Sequence, residues 1–382
     1  MRREIAVRAS LLLEDGTFVV GNAHGARCER IAEIVFNTAM SGYEEVLTDP
    51  SYAGQFVLFT TSHIGNTGIT DFDGESQRLC AEGFICRDFS SSADNWRSQK
   101  TLEEFLISSG TCAISDVDTR FLAQRLRAKG CMKAILSTED FNPDSLGRKL
   151  KAAADISLLD LVSQTRSFSW HTGRAQKKAV SGFRVVAVDC GMKRGILDEL
   201  GELGLDIHVV GPSVTLSEVE AIRPDGLFFS NGPGCPKQLA NSTSVLELIK
   251  TLSPQLPTFG ICLGHQLISL AFGGNTEKLD FGHHAVNHPV VSLVELAGVP
   301  AGSVMITSQN HNYHVIEDSV SEQFEITHRH MNDFTVAGIR HRTYPVFSVQ
   351  FHPECNPGPR DAKALFSVFL KMLEEKKNAS AL

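Results

Sequence analysis

The stretch 257–272 constrains this chain most. A short apolar run from Pro257 to Ile261 meets Cys262 between Gly260 and Gly264, and a second apolar stretch continues from Leu263 to Phe272. The first run predicts a buried strand and the second a helix. The G-x-C-x-G spacing is that of a nucleophile elbow, a strained strand-to-helix turn that presents a reactive side chain. Glycines flank it because a Cβ would clash where backbones run close. A helix N-terminus favours negative charge placed on it, which suits a thiolate. A small buried cysteine on a tight turn would have the same local sequence, so the nucleophile reading needs a base elsewhere in the chain.

The surrounding half alternates strands and helices. Arg184–Val188, Ile207–Val210 and Gly226–Phe229 read as strands, and Thr215-Leu216-Ser217-Glu218 has the form of a capping box that opens a helix. Strands are also expected at 304–307, 324–327, 336–340 and 346–350, with a closing helix over 361–377. Such alternation implies a mostly parallel or mixed sheet flanked by helices, with sites at the carboxyl ends of its strands. The N-terminal half reads differently, as an α+β domain. Asp15-Gly16 between two apolar runs predicts a hairpin. Strands are expected at 31–37, 55–60, 83–86 and 111–115, and a helix after Asp118 that stops at Gly130. The polar stretch 163–182 reads as a linker. The expected organisation is therefore an α/β chain with an N-terminal domain over 1–162, a linker, and a second domain over 183–382.

The formal net charge of −8 argues against non-specific nucleic-acid binding. No apolar run is long enough to span a membrane, and Met1-Arg2-Arg3-Glu4 does not open a signal peptide. The nine cysteines are scattered, odd in number and without a C-x-x-C pair. Neither a disulfide framework nor a zinc site is expected from them, and a reduced, cytoplasmic setting fits. His283, His284 and His288 are close in sequence, but adjacent residues of a strand face opposite ways, so no metal site is expected.

A cysteine nucleophile needs a base, and the base needs an orienting group. His352 and Glu354, two apart after a predicted strand, can supply both, with Pro353 stiffening the turn between them. Together, Gly260-Ile261-Cys262-Leu263-Gly264-His265-Gln266 and His352-Pro353-Glu354 resemble the class I, triad-type glutamine amidotransferases. Asn231-Gly232-Pro233-Gly234 resembles that class's oxyanion and substrate loop. The stretch 36–52, His63-Ile64-Gly65-Asn66, Asp116-Val117-Asp118-Thr119-Arg120 and Phe281-Gly282-His283-His284 resemble the small subunits of carbamoyl phosphate synthetases.

That resemblance implies a glutaminase that works through a Cys262 thioester, with His352 as base and Glu354 as orienting group. It implies L-glutamine contacts at Ser51, Gly232, Gly234, Leu263, Gln266, Asn310, Asn312 and Tyr313. It also implies no cofactor on this chain, and a large partner subunit that carries ATP and Mg. The absence of a G-x-x-x-x-G-K-[ST] loop agrees with ATP chemistry lying on another chain. Two other readings stay open: a non-catalytic interaction subunit of the same fold, and a diverged amidotransferase that feeds ammonia to a different synthetase. Several positions depart from the family pattern. Cys190 and Met192 interrupt a D-F-G-x-K segment, Cys235 stands for an aspartate, Ala285-Val286 for Gly-Gly, and Asn312 for a glycine. At Asn312 the change leads us to expect positive φ at a residue bearing a side chain.

Overall fold

The computed structural model describes residues 7–154, 167–170 and 181–380. The chain divides into two compact units, one of Met1–Ser157 with Asp280–Ala285 and the other of Leu158–Leu279 with Val286–Leu382.

The first unit contains strands β1 (Arg8–Leu13), β2 (Phe18–Gly25), β3 (Glu29–Asn37), β4 (Gln55–Phe59), β5 (His63–Ile64), β6 (Gly83–Ile85), β7 (Asp88–Phe89), β8 (Cys112–Ser115) and β9 (Met132–Ser137). Seven of them close into a barrel in the order β1-β2-β8-β6-β4-β3-β9, while β5 pairs with β7. The expected hairpin is present, with Leu12 opposite Phe18 and Gly16 at φ 86° in the turn. Alternate residues point to two separate cores. Ile34, Phe56 and Leu58 pack with Leu11 and Ile114, whereas Val35, Val57 and Phe59 pack with Phe84 and Leu106. The Thr119–Lys129 helix is capped by the Asp118 side chain and stops at Gly130, as the sequence suggests. The α+β reading holds, but barrel closure was not foreseen, because β1 meets β9 across Ser10 and Ser137. One expectation fails. Cys28, just after β2, and Cys112 on β8 form a disulfide, because barrel pairing brings together two thiols 84 residues apart.

The second unit is a ten-stranded sheet. Its strands are β10 (Phe168–Trp170), β11 (Arg184–Val188), β12 (Asp206–Val210), β13 (Gly226–Phe229), β14 (Thr258–Ile261), β15 (Thr276–Ser292, of which Asp280–Ala285 belong to the first unit), β16 (Val304–Val315), β17 (Phe324–His330), β18 (Val336–His341) and β19 (Val346–Val349). The order is β10-β12-β11-β13-β14-β19-β18-β17-β15-β16. The run β12-β11-β13-β14-β19 is parallel, and β18 and β17 continue it antiparallel. Alternation again fills both faces. Val185 and Ala187 join the Leu365–Ser380 helix through Phe366, Phe369 and Leu373, and Val186 and Val188 join Leu248, Leu267 and Ile268. Three residues of the expected linker, Phe168–Trp170, form an edge strand against β12, and Trp170 packs on the core. Most of the rest of that linker lies outside the described residues. The closing helix starts at Leu365 rather than 361, and β15, which the sequence reads as strand only around His283-His284, runs from Thr276 to Ser292 through Gly282 and Pro289.

Candidate functional site

The ends of four neighbouring parallel strands carry the chemistry-bearing residues: Asp189–Lys193 after β11, Ser230–Gly234 after β13, Cys262 after β14 and Gln350–Glu354 after β19. The carboxyl ends of parallel strands are where open α/β sheets gather ligands.

Cys262 lies between β14 and the Leu263–Ala271 helix with φ 54° and ψ −103°, a strained conformation for a residue with a side chain. Its backbone is held from both sides. The Cys262 N–H donates to Val349 on β19, and the Gly264 N–H donates to Ser230 after β13, both at 2.9 Å. A Cβ at Gly264 would overlap the Phe229 carbonyl oxygen, so only glycine lets the helix start this close to β13. Leu263 begins the helix, so its N–H is among those without an intrahelical acceptor. The Cys262 thiol donates to the Asn310 carbonyl at 3.4 Å.

His352 and Glu354 are brought together as expected, with His352 Nδ1 at 2.7 Å from Glu354 Oε1 and both side chains buried. Burial alone would push the His352 pKa down. The Glu354 carboxylate and the adjacent Cys262 sulfur reverse this and hold it well above its usual value. The Nε2 atom is buried and makes no well-aligned hydrogen bond among the described residues. Burial would likewise raise the Glu354 pKa, but Lys193 and His352 hold it down, to about 2.

Lys193 was missed from sequence. Its Nζ lies 2.8 Å from Glu354 Oε1 and also donates to the Asn356 carbonyl, with only 3% of the side chain exposed. Asn231 supports it by accepting from the Lys193 N–H at 3.1 Å. The available signal was a lysine just past the end of a buried parallel strand, in Asp189-Cys190-Gly191-Met192-Lys193.

Of the other expected contacts, Gly232 and Gly234 follow β13. A Cβ at Gly232 would overlap the Cys190 carbonyl oxygen, and Gly234 has φ 93°. Gln266 donates through Nε2 to the Tyr313 carbonyl at 2.8 Å. Asn310, Asn312 and Tyr313 follow one another along β16. Asn312 is not among the positive-φ residues, so that expectation is corrected: the strand keeps it extended. Cys235 caps the Pro236–Ser242 helix without a side-chain hydrogen bond, and Cys190 is fully buried. Ser51 belongs to the first unit, in the turn Pro50–Tyr52, where its N–H donates to Asp49 Oδ1 at 2.8 Å. Among the histidines weighed as metal ligands, His288 shares a 3.0 Å hydrogen bond with His330, which the sequence reading did not consider.

Two family models match this chain. Residues 186–372 match the glutamine amidotransferase class-I model, and residues 11–136 match the carbamoyl-phosphate synthase small chain, CPSase domain model. The carbamoyl phosphate synthase small chain of Chlorobaculum tepidum is 41% identical over 372 residues, covering 97% of this chain and 99% of that protein. The corresponding small chain of Fusobacterium nucleatum is 44% identical, covering 95% and 98%. That of Bacillus caldolyticus is 43% identical, covering 97% of both. No helix among the described residues is long and apolar enough to cross a membrane.

Proposed function

The chain belongs to the carbamoyl phosphate synthase small chain family and carries a class I glutamine amidotransferase domain; from that premise we propose how its own residues hydrolyse L-glutamine. The observation that carries the proposal is the strained Cys262 backbone at a helix N-terminus, next to a buried His352–Glu354–Lys193 chain.

Cys262 Sγ attacks the side-chain amide carbon of glutamine, and His352 takes the thiol proton. The oxyanion is stabilised by N–H groups at Gly234 and Leu263, a contribution of about 3–4 kcal/mol per donor in comparable sites. Collapse breaks the C–N bond, and His352 returns its proton to the leaving nitrogen, releasing ammonia and leaving a glutamyl thioester on Cys262. Water then adds to the thioester while His352 removes its proton, which gives glutamate and the free thiol. Glu354 holds the ring through Nδ1 and stabilises its charged form, and Lys193 keeps Glu354 ionised. Gly232, Gln266, Asn310, Asn312 and Tyr313 line the glutamine site.

Ammonia is consumed by a large partner subunit that binds ATP and Mg and makes carbamoyl phosphate. The complex works in the cytoplasm and supplies arginine and pyrimidine synthesis. The test compares wild type with Cys262→Ser in a glutaminase assay, alone and with the large subunit. Wild-type hydrolysis no faster than the variant's would mean a non-catalytic interaction subunit. Glutamine consumption without carbamoyl phosphate would mean a different acceptor.

A further inference from the structure

Gln350 follows β19, two residues before His352, and is buried. Its Oε1 accepts a 3.0 Å hydrogen bond from Gln266 Nε2, the same nitrogen that donates to the Tyr313 carbonyl at 2.8 Å. A backbone carbonyl only accepts, so Tyr313 fixes which end of the Gln266 amide is nitrogen. That nitrogen carries two hydrogens, and both are taken. Gln266 is left with its carbonyl oxygen as the one polar atom it can offer a ligand.

The same logic orients Gln350. Its oxygen faces Gln266, and its own Nε2 is buried without a hydrogen-bond partner among the described residues. An unmatched buried donor is destabilising, and an apolar residue of similar size would avoid it. Gln350 is therefore held here for its acceptor end.

We propose that Gln350 is a positioning residue that, with the Tyr313 carbonyl, makes Gln266 an obligate acceptor for the α-ammonium group of the substrate; this rests on glutamine being the substrate. Glutamine presents two donor groups, the α-ammonium and the side-chain amide. The amide is the leaving group at Cys262, so the ammonium is the donor left for Gln266 Oε1. The resulting charge-assisted hydrogen bond distinguishes an amino acid from a plain amide.

The test uses the full chain assembled with its large partner subunit and measures hydrolysis of L-glutamine and of 4-carbamoylbutanoate, which lacks the amino group. Gln350→Leu is expected to raise KM for glutamine by about 10-fold and leave kcat within about threefold. The preference for glutamine over the amino-free analogue should fall by the same factor. Gln350→Glu keeps an oxygen that accepts from Gln266 and should restore KM to within about threefold of wild type. An unchanged KM in Gln350→Leu overturns the proposal. So does an equal loss on both substrates, or a Glu variant as impaired as the Leu variant. Wild type that hydrolyses neither substrate overturns the glutamine reading itself, and this inference with it.

Discussion

The two units treat charge differently. In the barrel unit, ion pairs are part-exposed: the side chains of Arg30–Glu82 at 2.7 Å and Arg97–Asp73 at 3.1 Å are each about a quarter or more exposed. Pairs of that kind contribute about 0–1 kcal/mol. In the sheet unit, Lys193–Glu354 is an equally short pair at 2.8 Å with both side chains buried. Desolvating two charges offsets most of their attraction, so such a pair is a poor way to gain stability. Where a fold keeps one beside a histidine and a strained cysteine, the charges are there to set protonation. In the barrel unit the buried Glu44 is held instead by the Thr70 N–H.

The largest effect that could break this contrast is on activity. Cys262→Ser should lower glutamine hydrolysis by about 10⁴-fold or more while the urea midpoint stays close to wild type. Comparable activity in the variant would remove the chemistry from this unit. Next is Lys193→Met, which takes from the buried Glu354 one of its two cationic partners, leaving His352, and should destabilise by up to about 3–5 kcal/mol in equilibrium unfolding. By contrast, Arg30→Met in the barrel should change stability by less than about 1 kcal/mol. Similar values for the two variants would erase the distinction.

The units should also differ in their response to acid. Burial holds the pKa of His265 at about 3, helped by nearby His328, and burial holds that of His328 at about 4. The unfolded chain binds these protons near pH 6.5 and the folded chain does not. The stability they contribute is present above pH 6.5 and is lost as pH falls toward 4, by about 1.4 kcal/mol per pH unit for each histidine. Glu44 in the barrel unit behaves in the opposite sense. Burial raises its pKa to about 7, so its contribution is present below pH 4.5 and is lost as pH rises through 7. Urea midpoints at pH 7.5 and 5, followed by Trp170 fluorescence in a Trp96→Phe background, should show the sheet unit weakening in acid. A midpoint that does not move would contradict the burial of the two histidines. For the barrel, Glu44→Gln should match wild type in acid and exceed it above pH 7.

The smallest effect concerns Cys235, which caps its helix without a side-chain hydrogen bond. Cys235→Asp should stabilise by about 0.5–2 kcal/mol, measured by thermal unfolding. A loss of stability would mean that the thiol packs better than an aspartate caps.

The contrast also explains what the sequence made legible. The parallel strands of the sheet unit are buried on both faces and read as short apolar runs, so Gly226–Phe229 and Arg184–Val188 were found with their observed bounds. Cys262, His352 and Glu354 lie in two short segments with distinctive spacing. Lys193 was missed because its partner is 161 residues away, so the D-F-G-x-K resemblance at Asp189–Lys193 did not show what its lysine pairs with. Gln350 was missed for a related reason, since its role depends on Gln266, 84 residues earlier. Barrel closure and the Cys28–Cys112 bond are likewise products of long-range pairing, which periodicity does not register. At Cys190, one of the departures from the family pattern, the close contact is made by main chain: its carbonyl abuts Gly232.

The backbone of Cys262 sets activity and durability against each other at a single residue. Its φ of 54° with ψ −103° is a conformation that glycine adopts freely and that a residue with a Cβ holds only under strain. Cys262→Gly should therefore be inert as an amidotransferase and yet melt at a higher temperature than wild type. Stability alone would select glycine at this position, and only the reaction keeps a thiol there.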